Sequence, residues 1–177
     1  MLAACARRLA VAVLVFWVFI GVVGCFPFGP STGSQHQCVD VGTNGHKPPS
    51  STKPFIWIGT DDANGNYRPI TPNETLAVQH GPQGGEHVWG AAHLYAAGSS
   101  DQWTLTFQIK GTDGSQIAAY EDILDACDTD LAETRRVTVR FDTDPALSMV
   151  SNGILMVDAT PDGGKTTVHA EVPISWK

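Results

Sequence analysis

Basic residues are scarce in this 177-residue chain, and charged residues of either sign are few. Charged side chains make up 16% of the sequence, with 11 lysines and arginines against 18 aspartates and glutamates. Two of the basic residues, Arg7 and Arg8, precede a long apolar run, and the remainder of the chain keeps nine basic and eighteen acidic residues, a net charge of −9. A surface with this balance repels phosphate backbones, so nucleic acid is not a predicted partner.

Several motifs that carry chemistry are also absent. The chain contains no phosphate-binding loop and no His-Glu-x-x-His pair. The segment from Ser50 to Lys53 matches the Ser-x-x-Lys pattern of acyl-serine enzymes, but the Ser-Asp-Asn and Lys-Thr-Gly motifs that accompany it there are missing. We therefore predict no cofactor and no catalytic residue, while a hydrolase assembled from residues far apart in the sequence stays open as an alternative.

Helical periodicity is lacking after residue 25, where the pattern is that of short strands and turns. The segment from Trp103 to Lys110 alternates apolar and polar residues, which is typical of a half-buried strand. The segment from Ile117 to Leu124 suits a helix face as well as a strand and is predicted as a strand. Pro173 suggests that the last strand lies at a sheet edge. The predicted strands cover residues 55–58, 75–79, 87–95, 103–110, 117–124, 135–141, 154–160 and 166–176.

These strands predict an all-β fold. About eight short strands with regular turn signals are typical of an antiparallel β-sandwich of immunoglobulin-like type, with a small barrel as the alternative. Eighteen glycines and eleven prolines fit many turns, and hydrophobic residues at 42% allow a real core.

The first 25 residues carry the strongest signal in the chain. Arg7 and Arg8 form a basic end, and the sixteen residues from Leu9 to Gly24 are apolar. The run ends in Val-Val-Gly-Cys at Cys25, which resembles the lipobox of a bacterial lipoprotein signal peptide. The resemblance implies cleavage after Gly24, diacylglycerol on the Cys25 sulfur and membrane lipid as a partner. Phe26 at the next position implies sorting to the outer membrane.

An uncleaved membrane helix is the alternative for the same segment. Sixteen to twenty apolar residues approach the ~20 that a spanning helix needs. Either anchor leaves residues 29–177 outside the cytoplasm, because the basic end stays inside. The domain boundaries predicted on this basis are 1–24 for the signal peptide or anchor, 25–53 for the lipidated cysteine and a tether rich in Gly, Pro and Ser, and 54–177 for the β-domain.

The four cysteines divide between the anchor and the domain. Cys5 leaves with the signal peptide, and Cys25 is the lipidation site. Cys38 and Cys127 remain as an even pair in an oxidising compartment, and we predict one disulfide between them. Two unpaired thiols are the alternative, because Cys38 lies in the predicted tether.

The most distinctive stretch of the domain is a turn followed by a histidine: Gly81, Pro82, Gln83, Gly84, Gly85 and His87. Pro82 suits the second position of a type I turn and Gly84 the fourth, and Gly84 or Gly85 is expected to need positive φ. The GPQGGxH pattern resembles a motif of uncharacterised secreted and lipid-anchored bacterial proteins with β-sandwich domains. That resemblance implies fold and location only. We predict that His87 donates hydrogen bonds to the backbone of the turn.

Metal binding is the alternative interpretation of this stretch. If the turn closes a hairpin, His80 and His87 become neighbours across two strands, and with Glu86 they form a candidate site for zinc or copper. The acids between Glu121 and Glu133, and the turn from Asp61 to Asn66, do not have the spacing of an EF-hand loop. We interpret both of these acidic segments as solvated loops.

The sequence as a whole predicts a membrane-anchored envelope lipoprotein whose β-sandwich domain binds or scaffolds an envelope partner, without evident catalytic activity. A periplasmic metal-binding lipoprotein that uses His80 and His87 is the alternative.

Overall fold

The computed structural model describes residues 34–40, 52–81, 85–99, 101–127, 130–141, 152–164 and 166–177. The signal peptide, Cys25 and the turn residues Pro82, Gln83 and Gly84 lie outside these ranges. Within them the secondary structure is β throughout, and no helix is long and apolar enough to cross a membrane. The all-β class is confirmed.

Eleven strands form one mixed sheet, where about eight were predicted. The strands are β1 (Gln35–Val39), β2 (Phe55–Asp61), β3 (Tyr67–Pro69), β4 (Glu74–Leu76), β5 (Gln79–His80), β6 (Glu86–Tyr95), β7 (Gln102–Gly111), β8 (Gln116–Asp125), β9 (Leu131–Phe141), β10 (Asn152–Pro161) and β11 (Val168–Trp176). Seven of the eight predicted segments each overlap one observed strand, and the segment 75–79 overlaps both β4 and β5. The additional strands are all five residues long or shorter.

The sheet order is β3-β2-β6-β9-β8-β7-β10-β11-β4, with β1 paired to β9 and β5 paired to β6. All of these pairs are antiparallel except β11 and β4, which are parallel. The sheet curls, because β11 near one end of this order contacts β2 near the other. One hydrophobic core lies inside the curl.

Strand β7 buries alternate residues, as the sequence pattern predicts. On β7 the inward residues Trp103, Leu105, Phe107 and Ile109 are at most 2% exposed, while the residues between them are half-buried. The segment that suited either a helix or a strand is β8. The edge position predicted from Pro173 holds for part of the strand: among the described strands Val168–Pro173 pair only with β10, whereas Ile174–Trp176 also pair with β4. Pro173 precedes that pairing, so its missing N–H leaves no ladder bond unmade.

A strand lies within the segment predicted as a tether. β1 pairs along Leu131–Arg135 of β9, from Gln35 opposite Arg135 to Val39 opposite Leu131. There is room for it because β8 pairs with β9 only at Ala118 and Ala119. Beyond that point β1 occupies the edge of β9 that β8 has left.

The predicted disulfide is confirmed and fixes this strand. Cys38 of β1 bonds to Cys127, which follows β8, with the two Cα atoms 5.9 Å apart. The bond therefore ties β1 to the end of β8 while backbone hydrogen bonds tie it to β9. Between these two attachments the segment 35–39 is an integral part of the sheet.

Candidate functional site

The predicted turn joins two paired strands. The Gly81 N–H donates to the Gly85 carbonyl at 3.0 Å, and β5 pairs with the start of β6 on either side of the turn. Gly85 has a φ of 94°, which confirms the positive φ expected at this position. An added Cβ at Gly85 would lie 3.1 Å from the guanidinium group of Arg140.

We expect Gly85→Ala to lower the free energy of unfolding by about 1 kcal/mol or somewhat more, because alanine resists positive φ. Gly98→Ala is the matched control, since Gly98 has a φ of 81° and a Cβ added there would meet nothing within 4 Å beyond its chain neighbours in the described ranges. The loss of unfolding free energy in Gly98→Ala measures the cost of positive φ alone. Any larger loss in Gly85→Ala measures the added cost of displacing Arg140. Thermal or urea unfolding measures both, and a wild-type midpoint for Gly85→Ala would contradict the prediction.

His87 is buried at the start of β6, and the predicted donation to the turn backbone stays a prediction, because Pro82, Gln83 and Gly84 lie outside the described ranges. The residue is 8% exposed, and its ring meets the Trp89 ring edge-on with the centroids 4.6 Å apart. Its Nε2 is buried without a hydrogen-bond partner in the described part of the chain. Burial, and then the nearby charge of His80, lower the pKa of His87. The neutral imidazole therefore acts as a packing residue.

The three candidate metal ligands do not converge. His80 lies opposite Glu86, with the His80 Nδ1 3.4 Å from a Glu86 carboxylate oxygen, whereas His87 lies opposite Gln79. Neighbouring residues of a strand point to opposite faces, so His87 faces away from the other two. Across the seven described ranges, no three His, Cys, Asp or Glu side chains are placed to hold a metal ion.

A buried histidine and glutamate form a polar centre that the sequence interpretation missed. His93 on β6 lies opposite Glu133 on β9, and their side chains meet at 2.6 Å, between the His93 Nε2 and the Glu133 Oε2. Neither side chain is more than 3% exposed. Gln37 of β1 donates to the other Glu133 oxygen at 2.6 Å, and the Tyr67 ring stacks on the His93 ring at 3.6 Å.

The environment of Glu133 favours its charged form. Burial, the largest effect, raises the pKa of Glu133, but the hydrogen bond and charge of His93, the Gln37 amide and the charge of Arg135 together outweigh it. The pKa of this carboxyl is therefore lower than usual. Tyr67 covers the pair, and burial followed by the Glu133 charge raises its own pKa, so the phenol stays protonated. The pair is shielded from solvent and serves to join β6, β9 and β1.

A second buried carboxylate lies where β8 leaves β9. Asp122 is 6% exposed and accepts hydrogen bonds from Ser34 Oγ at 2.8 Å and Thr134 Oγ1 at 2.6 Å, and His36 Nε2 lies 2.9 Å away. Both Asp122 and Glu133 belong to the segment predicted as solvated acidic loops. That prediction is wrong for these two residues, because polar side chains of Ser34, β1, β6 and β9 supply the hydrogen bonds that burial of a carboxylate requires.

An open polar cavity of about 500 Å³ lies at the far end of β2. Its walls come from β2, the turn that follows it, β3, the segment from β4 to β5, β6 and β9. The polar and aromatic side chains that line it include Thr60, Asp61, Asp62, Arg68, Trp89 and Arg136. None of these was identified as a site residue from the sequence.

A β-bulge places Arg136 at this cavity. Gly90 of β6 lies opposite Val137 and Ala92 lies opposite Thr134, so two residues of β9 face the single residue between them. The Arg136 backbone has a φ of 56°, a conformation that residues other than glycine rarely adopt. The interruption of the β9 alternation by two successive arginines is the only sequence signal of this bulge.

Asp61 holds the strained residue in place. Its Oδ1 accepts the Arg136 N–H at 3.1 Å, and its Oδ2 lies 3.6 Å from the Arg136 Nε. Burial is the largest effect on the pKa of Asp61 and raises it, although the hydrogen bond and charge of Arg136 act in the other direction. The Arg136 guanidinium also lies against Gly65, because a Cβ built on Gly65 would be 2.5 Å from the Arg136 Nη2.

Comparisons with known proteins identify no family for this chain. No family model matches it, and no curated protein matches it. Among solved structures it is similar to the CooA pilin subunit of enterotoxigenic Escherichia coli, with 9% identity, a TM-score of 0.33 and coverage of 70% of this chain and 97% of the pilin. It is also similar to the N-terminal domain of PorA, with 13% identity, a TM-score of 0.30 and coverage of 69% and 97%. Values this low establish neither a common fold nor a common function.

Proposed function

We propose that this chain is a lipid-anchored envelope protein whose all-β domain binds a ligand outside the cytoplasm without catalysing a reaction. The polar cavity of about 500 Å³ is the observation that carries the binding role, because its volume falls in the range of small-molecule sites. The Cys38–Cys127 disulfide supports the location, since such bonds persist in oxidising compartments. The lipobox at Cys25 supplies the anchor in this proposal.

The burial of His93 supports binding rather than hydrolysis at this residue. A hydrolytic nucleophile needs a base within hydrogen-bond reach and access to substrate. His93 is fully buried beneath Tyr67 and beside Glu133. His36 and His169 contact carboxylates, Asp122 in the first case and Asp158 and Glu171 in the second. These histidines act as partners of acids in the sheet.

For the architecture we propose an antiparallel, two-layer sandwich of immunoglobulin-like type. The curl that brings β11 against β2 supports two facing layers around the core. Nearly all strand pairs are antiparallel, as in that class of fold.

The anchoring part of this proposal is tested at Cys25. We expect the membrane-extracted wild type to begin at Cys25 and to carry diacylglycerol, and Cys25→Ser to accumulate as an unlipidated precursor. Intact-protein mass spectrometry measures both. If the wild-type protein retains residues 1–24, the proposed lipid anchor is wrong and the anchor is an uncleaved membrane helix.

A further inference from the structure

The cavity beside Arg136 offers more hydrogen-bond donors than its own walls use. Each arginine guanidinium carries five N–H donors. Arg136 meets Asp61 through Nε, and its two terminal nitrogens have no acceptor among the described residues. Arg68 pairs with Glu74 through one terminal nitrogen. The side chains of Arg68 and Arg136 are 41% and 39% exposed, so the remaining donors are accessible from the cavity.

The acids of the cavity walls make contacts within the walls. The Asp62 Oδ1 accepts the backbone N–H groups of Asn64 at 2.8 Å and Asn66 at 2.9 Å, which closes the turn after β2. The Asp61 carboxylate holds the backbone and the Nε of Arg136. These carboxylates shape the walls and orient the arginines. The terminal nitrogens of Arg136 and the remaining N–H groups of Arg68 are donors that suit a ligand rich in acceptors.

The backbone at Arg136 points independently to a role in binding. Positive φ at a residue with a side chain costs of order 1–3 kcal/mol and persists where the surroundings enforce it, often at functional sites. Here the bulge in β9 and the hydrogen bond from the Arg136 N–H to Asp61 enforce it. Glycine at position 136 would satisfy the same backbone without strain but would supply no guanidinium group.

We propose that this cavity binds a phosphate group, with the guanidinium groups of Arg68 and Arg136 as its donors. Guanidinium forks bind phosphate and carboxylate oxygens in pairs, and a phosphate has enough oxygens to accept from two forks at once. Arg68 comes from β3 and Arg136 from β9, so two separate walls present the forks. The acidic chain as a whole disfavours a long phosphate backbone, and a compact phosphate ligand fits instead. This inference rests on the proposed binding function.

Titration of the full-length protein in a neutral, phosphate-free detergent with inorganic phosphate tests the proposal. NMR of the arginine Nε–Hε groups should show saturable shifts at Arg68 and Arg136, with a Kd of about 1 mM or tighter. Arg68→Gln and Arg136→Gln should each weaken binding by about tenfold or more. Arg140→Gln is the matched control, because Arg140 lies against Gly85 and outside the cavity lining. An absence of saturable shifts, or an equal loss in the control, overturns the proposal.

Arg136→Gly separates binding from folding. It relieves the positive φ but also removes the guanidinium and its contact with Asp61, so the variant should unfold near the wild-type midpoint and lose phosphate binding by about tenfold or more. A variant that binds phosphate like the wild type overturns the role of Arg136. A variant that is destabilised and binds normally shows that the strained arginine serves the fold.

A second titrant identifies the source of the phosphate. Glycerol phosphate, a soluble equivalent of a lipid headgroup, should bind more tightly than inorganic phosphate if the ligand is a lipid, and less tightly if it is the free anion. Failure of both titrants to bind overturns the proposal. The phosphate titration and the mass spectrometry at Cys25 can fail separately. A protein that binds phosphate but carries no lipid at Cys25 would contradict the proposed anchor and leave the phosphate site intact.

Discussion

Replacement of both Cys38 and Cys127 by serine is expected to lower the free energy of unfolding by about 2–5 kcal/mol. The bond joins residues 89 apart in the sequence, and its loss returns the freedom of a long loop to the unfolded chain. The loss should be largest locally at β1, because five residues pair it to β9 and the bond supplies its other attachment. Chemical denaturation of the oxidised proteins measures the global loss, and amide hydrogen exchange of residues 35–39 measures the local one.

Reducing agent supplies the control for this prediction. It should bring the wild type to the stability of the double variant and leave the double variant unchanged. A double variant that unfolds at the oxidised wild-type midpoint would show that the pairing with β9 and the side-chain contacts hold β1 without the bond.

Strands β7 and β11 could be predicted because their apolar residues alternate with polar ones and face the core. On β7 and β11 the apolar residues recur at every second position, and the structure buries all of them on β7 and those from Val172 onward on β11. The disulfide could be predicted because Cys5 and Cys25 fall in the predicted signal peptide and lipobox, which leaves Cys38 and Cys127 as a pair. In these cases a local pattern of apolar residues, or the number of cysteines that remain, is enough to predict the structural feature.

The short strands and the sheet order could not be predicted because their causes are distant in the sequence. β1 is polar and looks like a tether, and it becomes a strand through residues such as Glu133, which is 96 positions from its partner Gln37. β3, β4 and β5 have two or three residues each, too few to show a period. Their pairing depends on the curl of the whole sheet.

The buried carboxylates escaped prediction for a related reason. An aspartate or glutamate in a polar segment is usually exposed, and only a partner across the sheet makes its burial acceptable. Asp122 and Glu133 each have such partners, which the fold supplies from β1, β6 and β9. The cavity at Arg136 depends in the same way on a bulge whose register only the sheet reveals.

The largest single-residue effect is expected at Glu133. Glu133→Ala should lower the free energy of unfolding by about 3–5 kcal/mol, because it leaves His93 fully buried without its carboxylate. Glu133→Gln is the matched control: it keeps the size of the side chain and part of the hydrogen bonding, and should cost about 1–3 kcal/mol. Urea denaturation at neutral pH measures both variants.

The pH dependence gives this prediction a second measurement. Because folding lowers the pKa of Glu133, its charged form contributes stability above the ordinary value of 4.5, and this contribution is lost as the pH falls through the folded pKa. The difference in stability between the wild type and Glu133→Gln should therefore shrink as the pH is lowered below 4.5.

A double variant distinguishes the cost of leaving His93 buried without its partner from the contribution of the pair itself. His93→Leu combined with Glu133→Leu removes both buried polar groups, and we expect it to be less destabilised than Glu133→Ala alone, because replacement of a buried pair by apolar residues is often close to neutral. Tyr67 can still pack on a leucine at position 93, so the cover over this part of the sheet is kept. If the double variant loses as much stability as Glu133→Ala, the pair contributes directly to the joining of β6 and β9. If Glu133→Ala itself unfolds at the wild-type midpoint, the pair has no structural role, and the hydrogen bonds from Gln37 and His93 to Glu133 are dispensable for the attachment of β1.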